Sequence, residues 1–116
     1  MNLLEAEVRE QQIEAPQLQL ALPFETAAGS VTCGIRPQDL RLTPADQAPA
    51  ITMEVEIVEA MGFETYVHGR VGTQPFVARL HDEEGPLPRP GEEVGLEISE
   101  SAIHLFDVSS GKSLRP

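Results

Sequence analysis

The chain has 116 residues, a net charge of −11, 41% hydrophobic residues, 4% aromatics and no Trp. That length supplies a packed interior without disulfides, and the lone Cys33 permits no intrachain bridge, which fits a reducing compartment. The charge repels phosphate backbones and anionic lipid, so nucleic acid and membrane surface are poor direct partners, and Met1-Asn2-Leu3-Leu4-Glu5 opens neither a signal peptide nor a membrane span.

Strand signals dominate in chain order. Leu4, Ala6 and Val8 alternate with Glu5, Glu7 and Arg9, and Leu18, Leu20 and Leu22 alternate with polar or small residues. Ala28-Gly29-Ser30 then punctuates the chain before Val31, Cys33 and Ile35. Arg36 to Leu40 predicts one short helical turn, with Pro37 fixing φ at its start. Pro44 to Ala50 is rich in Pro and Ala and reads as a connector. Met53, Val55 and Ile57 give the clearest two-residue period, which places all three on one buried face. Gly62 predicts a bulge or tight bend, and Gly72-Thr73-Gln74-Pro75 a hairpin loop between Val67–Val71 and Phe76–Leu80. His81 to Gly91 reads as a surface loop, followed by strands over Val94–Ile98 and Ala102–Phe106.

Many short alternating strands with frequent turns predict an all-β fold, either a small OB-like barrel or a short-strand sandwich; periodicity does not choose between them. Residues 1–116 are expected to form a single region, with interleaved subdomains at 1–43 and 51–116.

Catalytic and metal chemistry find little support. The sequence holds no Gly-x-x-x-x-Gly-Lys-Ser/Thr phosphate loop. His68, His81 and His104 sit far apart in sequence, and His81-Asp82-Glu83-Glu84 reads as a solvated acidic loop, so no metal is expected. Cys33 lies in an apolar run, where a thiol acts as a small hydrophobe, and Ser109-Ser110-Gly111 reads as a turn with no base in view. An enzyme is not expected.

Three blocks carry a family resemblance: Gly34-Ile35-Arg36-Pro37-Gln38-Asp39-Leu40, Val55-Glu56-Ile57-Val58-Glu59 running into Gly62-Phe63-Glu64-Thr65, and His104-Leu105-Phe106-Asp107 followed by Gly111. Together and in order they resemble the C-terminal regulatory region, of TOBE or transport-associated OB type, found in maltose-type sugar ABC importer ATPases. Gln38 departs from the Glu usual there. The resemblance implies a non-catalytic regulatory and dimerisation domain. It carries no cofactor of its own; ATP and Mg act in an ATPase domain absent from this sequence.

The implied partners are a second copy, the upstream ATPase domain, the transporter's membrane subunits indirectly and a regulatory protein, with no nucleic acid. The implied location is cytoplasmic, peripheral to the inner membrane. Arg36, Pro37, Asp39, Glu64, His104, Phe106 and Asp107 become interaction candidates. Arg36 and Pro37 are expected to fix the junction, and Glu64, His104 and Phe106 to lie at the self-contact. Gly34, Gly62 and Gly111 are expected at structural turns. The alternative is a small-ligand or oxyanion-binding module, as in molybdate-handling relatives.

Overall fold

The computed structural model describes residues 1–22, 24–44, 46–81 and 87–115. Among them lie ten strands and no α-helix: β1 Asn2–Arg9, β2 Gln12–Ala15, β3 Leu18–Ala21, β4 Gly29–Ile35, β5 Leu40–Leu42, β6 Ile51–Ala60, β7 Glu64–Val71, β8 Gln74–His81, β9 Glu93–Ile98 and β10 His104–Asp107. All pairing is antiparallel. The main path runs β10-β4-β1-β2-β3-β6-β7-β8, and β9 leaves it by pairing with both β6 and β5.

The apolar alternation dictates which side of each strand turns inward. Leu4, Ala6 and Val8 on β1, Val31 and Cys33 on β4, and Phe76, Ala78 and Leu80 on β8 are all buried. With Ile51, Met53, Leu96 and Leu105 they form one continuous core, in which Phe76 is the sole fully buried aromatic. Burying side chains of this size contributes about 1.5–3 kcal/mol each relative to exposure.

The sheet curls until β8 returns beside β1, but no backbone ladder joins these two strands. Side-chain amides span the gap. Asn2 Nδ2 donates to the Val77 carbonyl at 2.8 Å, and Val77 N–H donates to Asn2 Oδ1 at 2.9 Å. Gln74 does the reverse from β8: its Oε1 accepts from Glu5 N–H at 2.7 Å and its Nε2 donates to the Glu5 carbonyl at 3.1 Å. Each amide offers a donor and an acceptor in the geometry of a peptide group, so each stands in for one rung of a ladder.

Several local expectations are corrected. Met53 and Val55 are buried, but Ile57 is 58% exposed. The register passes from Val55↔Gly69 to Ile57↔His68, so Glu56 is an extra residue and everything after it changes face. The bulge therefore lies at Val55–Ile57, and of the two readings of Gly62, bulge or tight bend, the structure takes the second, at φ 89° in the β6–β7 turn. Gly34 is not in a turn. It sits within β4 opposite both Leu3 and His104, where a Cβ would lie 2.6 Å from Met1 Sδ and 2.9 Å from Phe106 Cε2. Residues 100–102 form a 3-10 turn, so the last strand begins at His104 and not at Ala102. The loop read over His81 to Gly91 falls partly outside the described residues.

Candidate interaction surface

The short helical turn is a 3-10 turn over Pro37–Asp39, closed by Asp39 N–H donating to the Arg36 carbonyl at 3.0 Å. Pro37 occupies its first position, where a missing N–H costs nothing. The turn packs against β8. Arg36 is exposed and its guanidinium has no hydrogen-bond or ion-pair partner among the described residues, while Asp39 is half-buried.

Glu64 opens β7 and forms an ion pair with Arg79 of β8, both half-buried. It closes a firm hairpin end: Met61 N–H donates to the Glu64 carbonyl at 2.8 Å across Gly62. Phe63 at the tip is 91% exposed, Met61 is 62% exposed, and the bulge adds Ile57. Tyr66 is half-buried on the neighbouring strand. Arg70 and His68 turn inward on this hairpin's own acids, Arg70 Nε to Glu56 at 3.3 Å and His68 Nε2 to Glu59 at 2.6 Å. An exposed Phe and Met at the end of this hairpin match residue types enriched in protein–protein contacts.

His104 and Phe106 lie elsewhere. β10 and β7 are separated by β4, β1, β2, β3 and β6 along the sheet, and by β8, β1 and β4 across the bridged gap, so one chain carries Glu64 and Phe106 on two patches. Cross-strand rows Leu3–Gly34–His104 and Glu5–Thr32–Phe106 cover the outer face of β1, β4 and β10. Gly34 leaves the space in which Met1 and the Phe106 ring lie.

Asp107 acts within the chain. Its carboxylate accepts from Ser110 N–H at 2.9 Å, its carbonyl accepts from Gly111 N–H at 2.8 Å, and Gly111 sits at φ 73°. The Ser110 backbone N–H, followed by the Ser110 hydroxyl, holds this carboxyl below its ordinary range. The capped turn sends Lys112–Leu114 back along the free edge of β10, with Leu114 N–H donating to the Leu105 carbonyl at 2.8 Å.

Two depressions mark the β1–β4–β10 face. One of about 340 Å³ is lined by Leu3, Thr32, Phe106, Asp107, Val108 and Gly111. The other, of about 710 Å³, is walled by Glu5, Glu7 and Glu14 and shares Thr32 and Val108 with the first. No group of three His, Cys, Asp or Glu among the described residues is arranged to hold a metal, and the run Asp82-Glu83-Glu84 lies outside those residues. Burial pushes the Cys33 thiol up to about 12, which disfavours the nucleophilic thiolate. Asn2, Gln74, Phe63 and Gly69 carry consequences that the sequence reading missed; only Phe63, an aromatic beside a turn glycine, gave a usable signal.

The TOBE domain family profile matches residues 33–106, from the middle of β4 into β10. The chain belongs to the TOBE domain family. This TOBE domain is also similar to curated proteins named sn-glycerol-3-phosphate import ATP-binding protein UgpC. It is 29% identical over 113 residues to that of Vibrio vulnificus, covering 92% of this chain and 30% of the relative. It is 34% identical over 102 residues to that of Yersinia pestis bv. Antiqua, covering 84% and 28%, and 33% identical over 86 residues to that of Escherichia coli K12, covering 74% and 23%. The domain thus spans less than a third of the length of these relatives. Among its described residues no helix is long and apolar enough to cross a membrane.

Proposed function

We propose that this TOBE domain is the non-catalytic regulatory and dimerisation domain of an ABC importer ATP-binding subunit. The observation that carries this reading is the family match over residues 33–106, together with relatives named for sn-glycerol-3-phosphate import and ATP binding. The transported substrate is accordingly sn-glycerol 3-phosphate or a related sugar compound. ATP and Mg act in the ATPase domain that the relatives' names imply. The subunit works at the cytoplasmic face of the inner membrane, against the transporter's membrane subunits.

The physical role is to keep two ATPase domains close. A contact that outlasts each ATP cycle converts their re-encounter into an intramolecular event at high effective concentration. The β6–β7 end, with Ile57, Met61, Phe63 and Glu64, supplies the apolar centre and polar rim such a contact requires. Arg36 and Pro37, on the turn against β8, fix the junction with the ATPase domain.

Two measurements test this. Sedimentation equilibrium of the chain over a broad concentration series should show a monomer–dimer equilibrium that Phe63→Ser shifts towards monomer. A chimera carrying this chain in place of the matching segment of the Escherichia coli relative should sustain sn-glycerol 3-phosphate uptake. A chain monomeric throughout, with a chimera that hydrolyses ATP but does not transport, would overturn the reading.

A further inference from the structure

The outer face of β1, β4 and β10 is an unpartnered sheet face with an apolar end and an acidic end. Leu3 is 60% exposed and Val108 58%, and they flank the half-buried Phe106 around the cavity of about 340 Å³. Thr32 and Val108 line both depressions, so the two adjoin as a groove on one face, its larger part walled by Glu5, Glu7 and Glu14. We propose that this groove docks an extended cationic segment of another protein. An aliphatic side chain of that segment sits beside Phe106, and its Lys or Arg side chains run along the three glutamates.

Charge decides the occupant. Of the chain's Lys and Arg residues, Arg9, Arg41, Arg70 and Arg79 are already in ion pairs and Arg115 lies over the Phe24 ring at 5.4 Å. Among the described residues a second copy brings Arg36, Arg89 and Lys112 outside such contacts and Arg9, Arg41 and Arg70 in exposed pairs with its own acids, against a net charge of −11 on each molecule. Self-association at this groove would set like against like, whereas a basic segment gains both attraction and steering. The one cation at the acidic end, Arg9, meets Glu7 at 3.4 Å with both side chains more than half exposed, a pair that an incoming cation displaces at little cost. Shape adds discrimination. A small polyamine satisfies the glutamates but leaves the Phe106 cavity empty, while a neutral apolar peptide leaves the glutamates unused. The groove wall is also firm, because the Asp107-capped turn holds Val108 and Gly111.

The inference is independent of pairing through the β6–β7 end, and the test separates the two. A fluorescent peptide alternating Lys and Leu is titrated with the intact chain, alongside a Lys–Ser peptide, a Glu–Leu peptide and spermidine. Saturable binding of the Lys–Leu peptide alone is expected, weakening as salt screens the charges. Glu7→Lys with Glu14→Lys should weaken it by about tenfold or more, and Leu3→Ser with Val108→Ser by a similar factor. The milder Glu7→Gln with Glu14→Gln variant should lie between, which guards against a fold lost to charge reversal. Phe63→Ser should leave peptide affinity unchanged even where it abolishes pairing. Equal binding of the Lys–Ser peptide or spermidine, equal weakening by the charge-matched Glu25→Lys with Glu93→Lys, or no binding of the Lys–Leu peptide would each overturn the proposal.

Discussion

Replacing Asn2 by Ala tests whether side-chain amides hold the curled sheet closed between β8 and β1. Asn2 makes two hydrogen bonds to Val77, at 2.8 and 2.9 Å, both partly buried. Each neutral bond of this kind is worth about 1 kcal/mol net, and leaving a half-buried donor and acceptor without partners adds a fraction of the desolvation penalty of about 1–3 kcal/mol per group. Asn2→Ala should therefore cost about 2–3 kcal/mol, a fall in melting temperature of roughly 10 °C for a domain of this size. Gln74 makes the matching pair of bonds to Glu5 in an exposed setting, where water replaces them, so Gln74→Ala should cost about 0.5–1 kcal/mol. The two amides bridge the same gap. Once one is lost the strands separate locally and the second has less to hold, so the double variant should cost less than the sum by about 0.5 kcal/mol or more. Urea unfolding of the four proteins gives all these values. A loss below about 0.5 kcal/mol for Asn2→Ala would show that packing alone brings β8 to β1, and strict additivity in the cycle would show that the two amides act independently.

Other substitutions probe the backbone and the buried thiol. Glu10 and Gln11 both have positive φ, 51° and 62°, in the two-residue turn between β1 and β2. Glu10→Asn with Gln11→Gly should stabilise the chain by about 1–2 kcal/mol in thermal unfolding, because these residues adopt that turn with less strain. At Gly69, opposite the bulge, an added Cβ would stand 1.8 Å from the Glu54 carbonyl oxygen, a backbone atom that cannot rotate away. Gly69→Ala should cost at least about 3 kcal/mol or prevent folding, read by circular dichroism and urea unfolding. Burial raises Cys33 from 9.0 to about 12. Between those values the unfolded chain has released a proton that the native chain keeps, so stability falls as pH rises above about 9 and the loss levels off beyond about 12. Urea titrations across that range should show the slope, and Cys33→Val should flatten it.

Much of the strand framework was legible because half-buried strands write their burial directly into the sequence. Leu4, Ala6 and Val8, Val31 and Cys33, and Phe76, Ala78 and Leu80 alternate as read and are buried. Two strands gave no such signal. Gln12–Ala15 offers only Ile13 to the core, and Leu40–Leu42 is three residues long, too short for a period to register. Ile57 shows the limit more sharply. Its parity with Met53 and Val55 is unbroken in sequence, and only the cross-strand register reveals the extra residue that turns it outward. What betrays the bulge is on the partner strand, where Gly69 leaves room for the Glu54 carbonyl. A single strand's periodicity carries no information about its neighbour.

The interaction residues were less legible, for a related reason: exposure is set by what fails to pack, and a sequence encodes that only indirectly. Glu64 and Asp107 look like free acids in the chain, yet Arg79 engages the first and the Ser110 N–H the second. The groups left available are instead apolar ones beside acids, Phe63 with Met61 at one place and Leu3 with Val108 at another. The charge then acquires a function beyond solubility. On the proposed reading, nineteen acidic residues against eight basic ones make a self-contact depend on apolar area such as the hairpin end offers, and leave the glutamate-walled groove to a partner of opposite sign. If the two proposed contacts both form, few free cations keep them apart with little crosstalk, because like charge opposes the wrong assembly while salt and sequence tune the right one.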